Sequence, residues 1–216
     1  MLNINSSAGT AADSSIQPIV TTSASIAASP MLAAVNVFSP KPTDKICIVV
    51  YGNIASGKST FSKNILSILK GFNYVCLDRI RVAWYDKNPE MNGIARERKC
   101  EEDCLNQILN SRLLVYETTA ATLFFNRVKP RLRGHFKTFY IYINCPVYEC
   151  HSRFDNRKKT GHRQIAPPYK NKMSIREILY HFNAKHYDVK VDLELNSVEL
   201  SPEQMVEAFR VFFNRS

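Results

Sequence analysis

The residues with the clearest chemical meaning form a glycine-rich segment directly after a short apolar run. The run covers residues 46–51, and the segment that follows matches the pattern G-x-x-x-x-G-K-S. Glycine lets a chain turn tightly enough to point several backbone N–H groups at one anion, and the lysine after the second glycine adds a positive charge. The spacing predicts a phosphate-binding loop, the P-loop, with a nucleoside triphosphate as its ligand.

Within this loop, Lys58 is expected to meet the β- and γ-phosphates of ATP, and the hydroxyl of Ser59 to bind Mg²⁺. A helix that begins near Lys58 would add the positive end of its dipole. The residues predicted to bind the nucleotide are Gly52, Asn53, Ile54, Ala55, Ser56, Gly57, Lys58, Ser59 and Thr60. A chance match in a glycine turn is the alternative, but the strand-like run before the loop and the helical apolar stripe after it, which stops at Gly71, favour the functional interpretation.

A second pair with chemical potential is Asp78 and Arg81, at the end of a predicted strand over residues 74–78. Ligands of parallel sheets bind at the carboxyl ends of the strands, so both side chains are expected in the crevice of the P-loop. Phosphate transfer to a hydroxyl needs a base, for which Asp78 is the catalytic candidate, and Arg81 is the candidate to hold an anionic acceptor. The alternative is a helix-capping aspartate beside a surface arginine.

The third predicted strand, residues 113–117, ends in the sequence Glu117-Thr118-Thr119. A carboxylate at this place is typical of P-loop enzymes, although aspartate is commoner than glutamate. Glu117 is therefore a candidate for indirect contact with Mg²⁺ or for substrate binding. Thr118 and Thr119 are either hydroxyl donors to phosphate or the N-cap of the next helix.

A dense basic segment, residues 153–163, follows the fourth predicted strand and leads into two prolines. Its arginines suit a mobile lid that neutralises the transferring phosphate and excludes water. Arg157 is predicted to be catalytic, and Arg153 and Arg163 to contact the substrate. A solvated basic turn is the alternative.

Strand-like and helical patterns alternate along the rest of the chain, which indicates a parallel sheet covered by helices on both faces. The predicted strands after the first are residues 74–78, 113–117, 138–144 and 189–195. After the helix that follows the P-loop, the predicted helices are residues 96–111, 121–133, 147–157, 174–186 and 202–213.

Composition sets the domain organisation. A chain of 216 residues with 45% hydrophobic content suffices for one sizeable core, so one catalytic domain is expected over residues 43–216. Residues 1–42 are rich in Ser, Ala and Thr and are predicted to form a disordered tail. That tail lacks the pattern of a secretion signal or of a mitochondrial presequence, although a divergent targeting role stays open on composition alone.

The formal net charge of +10 belongs to the predicted domain, because the tail contributes one lysine and one aspartate. The excess favours a polyanionic ligand, against the alternative of a generally basic solvated surface. The six cysteines form no C-x-x-C pair and are expected to be reduced core residues of a cytoplasmic protein. Cys100 and Cys104 lack partners for a metal site, and His181 and His186 are expected at the surface or satisfied in the core. No apolar run approaches the length of a membrane span.

These motifs together resemble the P-loop kinases that phosphorylate hydroxyl groups, which include adenylylsulfate kinases, zeta-toxin-like kinases and 5′-hydroxyl polynucleotide kinases. The resemblance runs from about Lys45 to the C-terminus, and the R-x-x-x-R of the basic segment is most similar to the polynucleotide kinases. It implies an α/β P-loop NTPase fold with three layers, a five-stranded parallel sheet in the order 2-3-1-4-5 and a basic lid. It also implies ATP and Mg²⁺, with Asp78 as general base, Arg81 on the acceptor's phosphate and the lid arginines on the transferring group.

Two departures from the pattern concern the acceptor, namely the glutamate at the third strand and a strongly polar stretch over residues 92–103. The predicted function is transfer of the γ-phosphate of ATP to a hydroxyl acceptor, with a polynucleotide 5′-hydroxyl as one candidate. A nucleotide, sugar-nucleotide or adenylylsulfate-type acceptor is the alternative, and an ATP-binding module without turnover is another. A GTPase is less favoured, because no N-K-x-D follows the fourth predicted strand.

Overall fold

The computed structural model describes residues 41, 43–160, 173–186 and 188–216. In these residues, strands and helices alternate along the chain, as the sequence predicts. Their bounds are β1 Ile46–Gly52, α1 Lys58–Ile68, β2 Asn73–Cys76, α2 Leu77–Lys87, α3 Gly93–Asn110, β3 Leu113–Thr118, α4 Leu123–His135, β4 Lys137–Asn144, α5 Val147–Lys159, α6 Ile175–His186, β5 Leu193–Asn196 and α7 Pro202–Asn214.

The strands form one parallel sheet in the order β2-β3-β1-β4-β5. Strand β1 lies in the middle, where Val50 pairs with Glu117 of β3 on one side and with Ile141 of β4 on the other. This register brings the carboxyl ends of β1 and β3 together at one edge of the sheet. The predicted fold class and strand order are confirmed.

Successive side chains of a strand point to opposite faces of its sheet. Strand β1 therefore contributes to a hydrophobic core on each face. Cys47, Val49 and Tyr51 face α2, α3 and α4, and Ile46, Ile48 and Val50 face α1 and α7. All seven residues of β1 are buried. A central strand covered on both faces is a rigid base for the loop that follows it.

The sequence prediction was wrong at the end of the second strand. Strand β2 ends at Cys76, and α2 begins immediately with Leu77, so Asp78 and Arg81 lie on a helix. The N-cap of α2 is Cys76, which makes no side-chain capping bond. The usual Ser, Thr, Asp or Asn signal of a helix start is therefore missing, and the pattern did not indicate α2.

The six cysteines are buried and unpaired, as predicted. Across the described ranges, no group of three or more His, Cys, Asp or Glu side chains is placed to hold a metal ion. No helix in the described part of the chain has the length and apolar character needed to cross a membrane. The predicted tail lies outside the described residues except for Lys41. Residues 161–163 of the basic segment and residues 164–172 after it also lie outside them.

Candidate active site

The loop between β1 and α1 has the backbone that its glycines predict. Gly52 has φ +153°, and a Cβ placed on it would lie 2.5 Å from the carbonyl oxygen of Ile143 in β4. Gly57 has φ +102° and Ala55 has φ +60°. Positive φ at these three positions turns the chain sharply from the sheet edge into α1.

Helix α1 begins at Lys58 in a way that suits an anion. Its N-cap Gly57 makes no side-chain capping bond, and the first turn holds no acidic residue. The N–H groups of a first helical turn have no partners within the helix, and the helix dipole places positive charge there. The loop and the helix start therefore offer backbone donors and a favourable potential to a phosphate group.

Lys58 is almost fully buried in this loop, and its ammonium group donates to the Asn53 carbonyl oxygen at 2.5 Å. Burial lowers the pKa of Lys58, while the nearby carboxylates of Glu117 and Asp78 oppose that lowering. The lysine has a position from which an incoming polyphosphate could take over its hydrogen bond.

Ser59 and Glu117 meet directly across the sheet edge. The Ser59 hydroxyl donates to Oε1 of Glu117 at 2.6 Å, and the Tyr74 hydroxyl donates to Oε2 at 2.5 Å. Burial and the Glu117 carboxylate raise the pKa of Tyr74 well above its usual range, so this hydroxyl keeps its proton. The donor set of hydroxyl and carboxylate oxygens beside the P-loop is of the kind that Mg²⁺ prefers. These residues fit the ion.

Asp78 and Arg81 form a pair that a third residue completes. Arg81 donates from Nη1 to Oδ1 of Asp78 at 2.7 Å, and from Nε to both carboxylate oxygens of Glu97 at 3.0 and 3.1 Å. Arg81 is buried, whereas the Asp78 side chain is 71% exposed. The guanidinium group is thus shared by two carboxylates, and it holds Asp78 in an orientation open to solvent.

The anion clamp that the sequence predicts at Arg81 is therefore already paired. Burial lowers the pKa of Arg81, but the hydrogen bonds and charges of Glu97 and Asp78 outweigh burial and raise it overall. A group in this state serves better to position Asp78 than to bind a second anion. Whether it also contacts an acceptor remains a prediction.

Helix α6 is attached to this site at two points. The Asn53 side chain of the P-loop donates to the Leu179 carbonyl oxygen at 2.8 Å. Nε2 of His186 lies 2.8 Å from the Thr119 carbonyl oxygen, to which it can donate, and the His186 ring contacts Tyr51 and Tyr142 edge-on. Burial lowers the pKa of His186 to about 4, which keeps the ring neutral at pH 7.

The described part of the basic segment is helical and belongs to α5. Arg153 donates to Glu149 at 2.8 Å, and to the side chain and backbone of Ser197 at 3.1 and 3.0 Å. Its guanidinium group therefore ties α5 to the loop after β5. Arg157 is exposed, and no hydrogen bond joins its side chain to another residue in the described ranges. Arg163 lies outside those ranges, so the lid and its three arginines stay predictions.

Sequence reasoning missed three groups of this site, because each acts across a long sequence separation. Tyr74 contacts Glu117, Glu97 contacts Arg81, and His186 contacts Thr119. The predicted capping role of the two threonines is wrong, because Thr122 is the N-cap of α4 and Thr118 Oγ1 accepts from the Ala120 amide. Their predicted donation to phosphate stays a prediction.

Comparison with known proteins gives structural likeness alone, since no protein-family model and no curated protein matches this chain. A chain of the Pnkp1/Rnl/Hen1 RNA repair complex aligns with a TM-score of 0.55 and 14% identity, over 70% of this chain and 49% of that chain. A protein from Chloroflexus aurantiacus described as a kinase has a TM-score of 0.54 and 13% identity, over 81% of this chain and 99% of that chain. Shikimate kinase from Acinetobacter baumannii in complex with shikimate has a TM-score of 0.52 and 16% identity, over 81% of this chain and 96% of that chain.

The chain thus spans about half the length of the RNA repair protein and nearly all of the other two. At identities of 13–16%, these likenesses establish the fold and not the substrate.

Proposed function

We propose that this chain, which has the fold of the P-loop kinases, transfers the γ-phosphate of ATP to a hydroxyl group of an acceptor. The observation that carries the proposal is the convergence of three elements on one loop. Lys58 lies in the P-loop, and the pair of Ser59 and Glu117 stands beside it. Asp78 lies in the first turn of α2, two residues after Cys76, which pairs with Glu117 in the sheet. A phosphate cradle, an oxygen donor set for a cation and an exposed base together suit phosphoryl transfer.

The P-loop would hold the phosphates of ATP. Backbone donors at residues 52–60 and the Lys58 ammonium group neutralise the phosphate oxygens. Ser59 would hold Mg²⁺, with Glu117 acting directly or through water; when bound, the ion supplies further positive charge to the phosphates. Tyr74 fixes the Glu117 carboxylate by its hydrogen bond, so the donor set is held in place before the nucleotide binds.

Asp78 would act as the general base in the transfer step. Its carboxylate accepts the proton of the acceptor hydroxyl while that oxygen bonds to the γ-phosphorus and the bond from the γ-phosphorus to ADP breaks. The hydrogen bond from Arg81 orients the carboxylate. The solvent exposure of Asp78 leaves room for an acceptor to approach.

The acceptor is the open part of the proposal. Similar folds are found in a chain of an RNA repair complex and in a shikimate kinase in complex with shikimate, so the fold does not select the acceptor. The excess of ten positive charges favours a polyanionic acceptor such as a polynucleotide 5′-hydroxyl end. A nucleotide, a sugar-nucleotide or adenylylsulfate is the competing class.

Phosphate transfer from γ-labelled ATP with Mg²⁺ tests the proposal. The panel contains 5′-hydroxyl DNA and RNA oligonucleotides, nucleosides, nucleotide sugars, adenylylsulfate and shikimate. We expect Lys58→Ala to abolish transfer, and Asp78→Asn to retain ATP affinity but slow transfer by about a hundredfold or more, the usual size of a general-base effect.

Asp86→Asn is the matched control, because Asp86 is the other carboxylate of α2 and lies at its far end. Normal transfer by Asp78→Asn would remove the proposed base from the mechanism. Retained ATP binding without transfer to any member of the panel would favour an ATP-binding module.

A further inference from the structure

A cavity lies between α4 and α6, and no residue of the P-loop lines it. Its volume is about 410 Å³, within the range of binding sites for small molecules and parts of larger ligands. Its walls combine apolar and basic side chains. They include Leu123, Phe125, Lys129, Met173, Phe182 and Lys185.

This cavity adjoins the candidate active site through the loop after β3. Ala120 and Ala121 line it, and they follow Glu117 by three and four residues. The hydrogen bond between His186 and the Thr119 carbonyl oxygen joins the end of α6 to the same loop. A ligand in the cavity would therefore lie next to the carboxyl end of β3.

The cavity presents apolar surface to solvent at its rim. Leu123 is 82% exposed and Met173 is 42% exposed, while Phe125 and Phe182 are buried behind them. Exposed apolar side chains at the mouth of a concave site are more typical of a binding surface than of a solvated one. They suit a flat, weakly polar group.

Two lysines line the same opening, one from each helix. Helix α4 carries Arg127, Lys129, Arg131 and Arg133 and no acidic residue. Of these, Arg127 pairs with Glu101 of α3, whereas Lys129 lines the cavity together with Lys185 of α6. The acidic residue of the lining is Asp188, whose backbone carbonyl oxygen accepts from Lys129 at 3.3 Å.

We infer that the cavity between α4 and α6 binds single-stranded nucleic acid, with bases against Leu123 and Met173 and phosphates at Lys129 and Lys185. A single strand combines apolar base faces with closely spaced phosphates, and the cavity combines apolar side chains with two lysines. The inference deepens the proposed function and rests on it, because it identifies the acceptor as a polynucleotide whose end reaches Asp78.

Binding of a ten-nucleotide 5′-hydroxyl single strand, labelled with fluorescein at its 3′ end, tests the inference without requiring turnover. Fluorescence anisotropy is measured at a fixed 100 mM salt, because such binding depends strongly on salt. The variant Lys129→Glu/Lys185→Glu is expected to weaken binding at least tenfold and to leave ATP binding unchanged. Leu123→Ser, at an exposed position that should not affect folding, is expected to weaken binding about threefold.

The matched control is Lys63→Glu/Lys70→Glu, which makes the same charge change at two exposed lysines on α1 and the turn that follows it. We expect the control to bind the strand within about twofold of the wild-type affinity. An equal loss of affinity for the strand in both double variants would show that only net charge matters, and it would overturn the inference. Failure of the wild-type chain to bind, or equal affinity for polyglutamate of similar length, would also overturn it.

The two proposals can fail separately. Strand binding that depends on Lys129 and Lys185, with no phosphate transfer to any acceptor, would contradict the proposed function and support the site. Transfer to a small molecule by a chain that does not bind the strand would support the proposed function and reject the site.

Discussion

Buried charge defines this site at the scale of single residues. Lys58 lies among groups that little water reaches, and its ammonium group is stabilised by Asn53 and by the charges of Glu117 and Asp78. Arg81 is held in the same way by Asp78 and Glu97. Removing one partner of a buried charge costs more than the pair contributes, so these residues act as connected sets.

His186 allows a prediction about pH at the same scale. Its pKa of about 4 in the folded chain lies below the value of 6.5 of a free histidine, because burial and Lys58 disfavour the charged ring. The unfolded chain therefore takes up the proton first as pH falls. The contribution of the neutral ring to the free energy of unfolding is complete above about pH 6.5 and is lost as the pH falls from 6.5 to 4. The loss amounts to about 2 kcal/mol at pH 5.

Urea unfolding at pH 7.5 and at pH 5.0 checks this expectation. The wild-type chain should lose about 2 kcal/mol more than His186→Gln over this interval, since glutamine can keep the bond to Thr119 and does not titrate. His181→Gln on the same helix is the control and should behave like the wild type. An equal pH dependence in wild type and His186→Gln would contradict the assignment.

At the scale of elements, the conformation of the P-loop depends on the close approach of the end of β1 to β4. A Cβ on Gly52 would meet the backbone of Ile143, which cannot move without distorting the middle of the sheet. The glycine therefore serves the approach of two strands as well as the turn that follows. Gly52 therefore belongs both to the predicted phosphate-binding loop and to the packing of the sheet.

We expect Gly52→Ala to lower the free energy of unfolding by at least about 2 kcal/mol and to abolish ATP binding, because the side chain clashes and the backbone is strained. Gly93→Ala is the control, since a Cβ at Gly93 meets no atom within 4 Å. Denaturant unfolding and ATP titration measure both effects. A Gly52→Ala chain with wild-type stability would show that the strands can separate at little cost.

At the scale of the whole molecule, the described hydrophobic cores draw their residues from Ile46 onward. Ahead of this, the carbonyl oxygens of Lys41 and Asp44 accept hydrogen bonds from Arg112 at 2.9 and 3.3 Å. The start of the domain near residue 43 and its separation from a preceding tail remain predictions.

A chain that begins at residue 41 should therefore melt within about 2 °C of the full chain, because about 1 kcal/mol shifts the melting temperature of a protein of this size by 2–4 °C. A chain that begins at residue 45 is the comparison, and it should melt a few degrees lower because it lacks the acceptors for Arg112. Scanning calorimetry measures both. A fall of more than about 5 °C on removing residues 1–40 would show that the tail contributes to the fold.

The sequence by itself determined the P-loop, the alternation of strands and helices, and the positions of Asp78 and Glu117 near strand ends. These features depend on local spacing: a glycine turn before a lysine, a stripe of period 3.6 and a run of β-branched residues. The start of α2 escaped detection because its N-cap, Cys76, gives no capping signal. Local patterns therefore supplied the fold class and the loop.

Only the tertiary structure decided which of these side chains meet. Sheet order places β3 beside β1 and β2, which brings Glu117 to Ser59, 58 residues away, and to Tyr74. The packing of α3 on α2 pairs Glu97 with Arg81, and the position of α6 joins His186 to Thr119, 67 residues away. Such contacts leave no trace in local spacing, because they depend on how separate elements pack around a shared core.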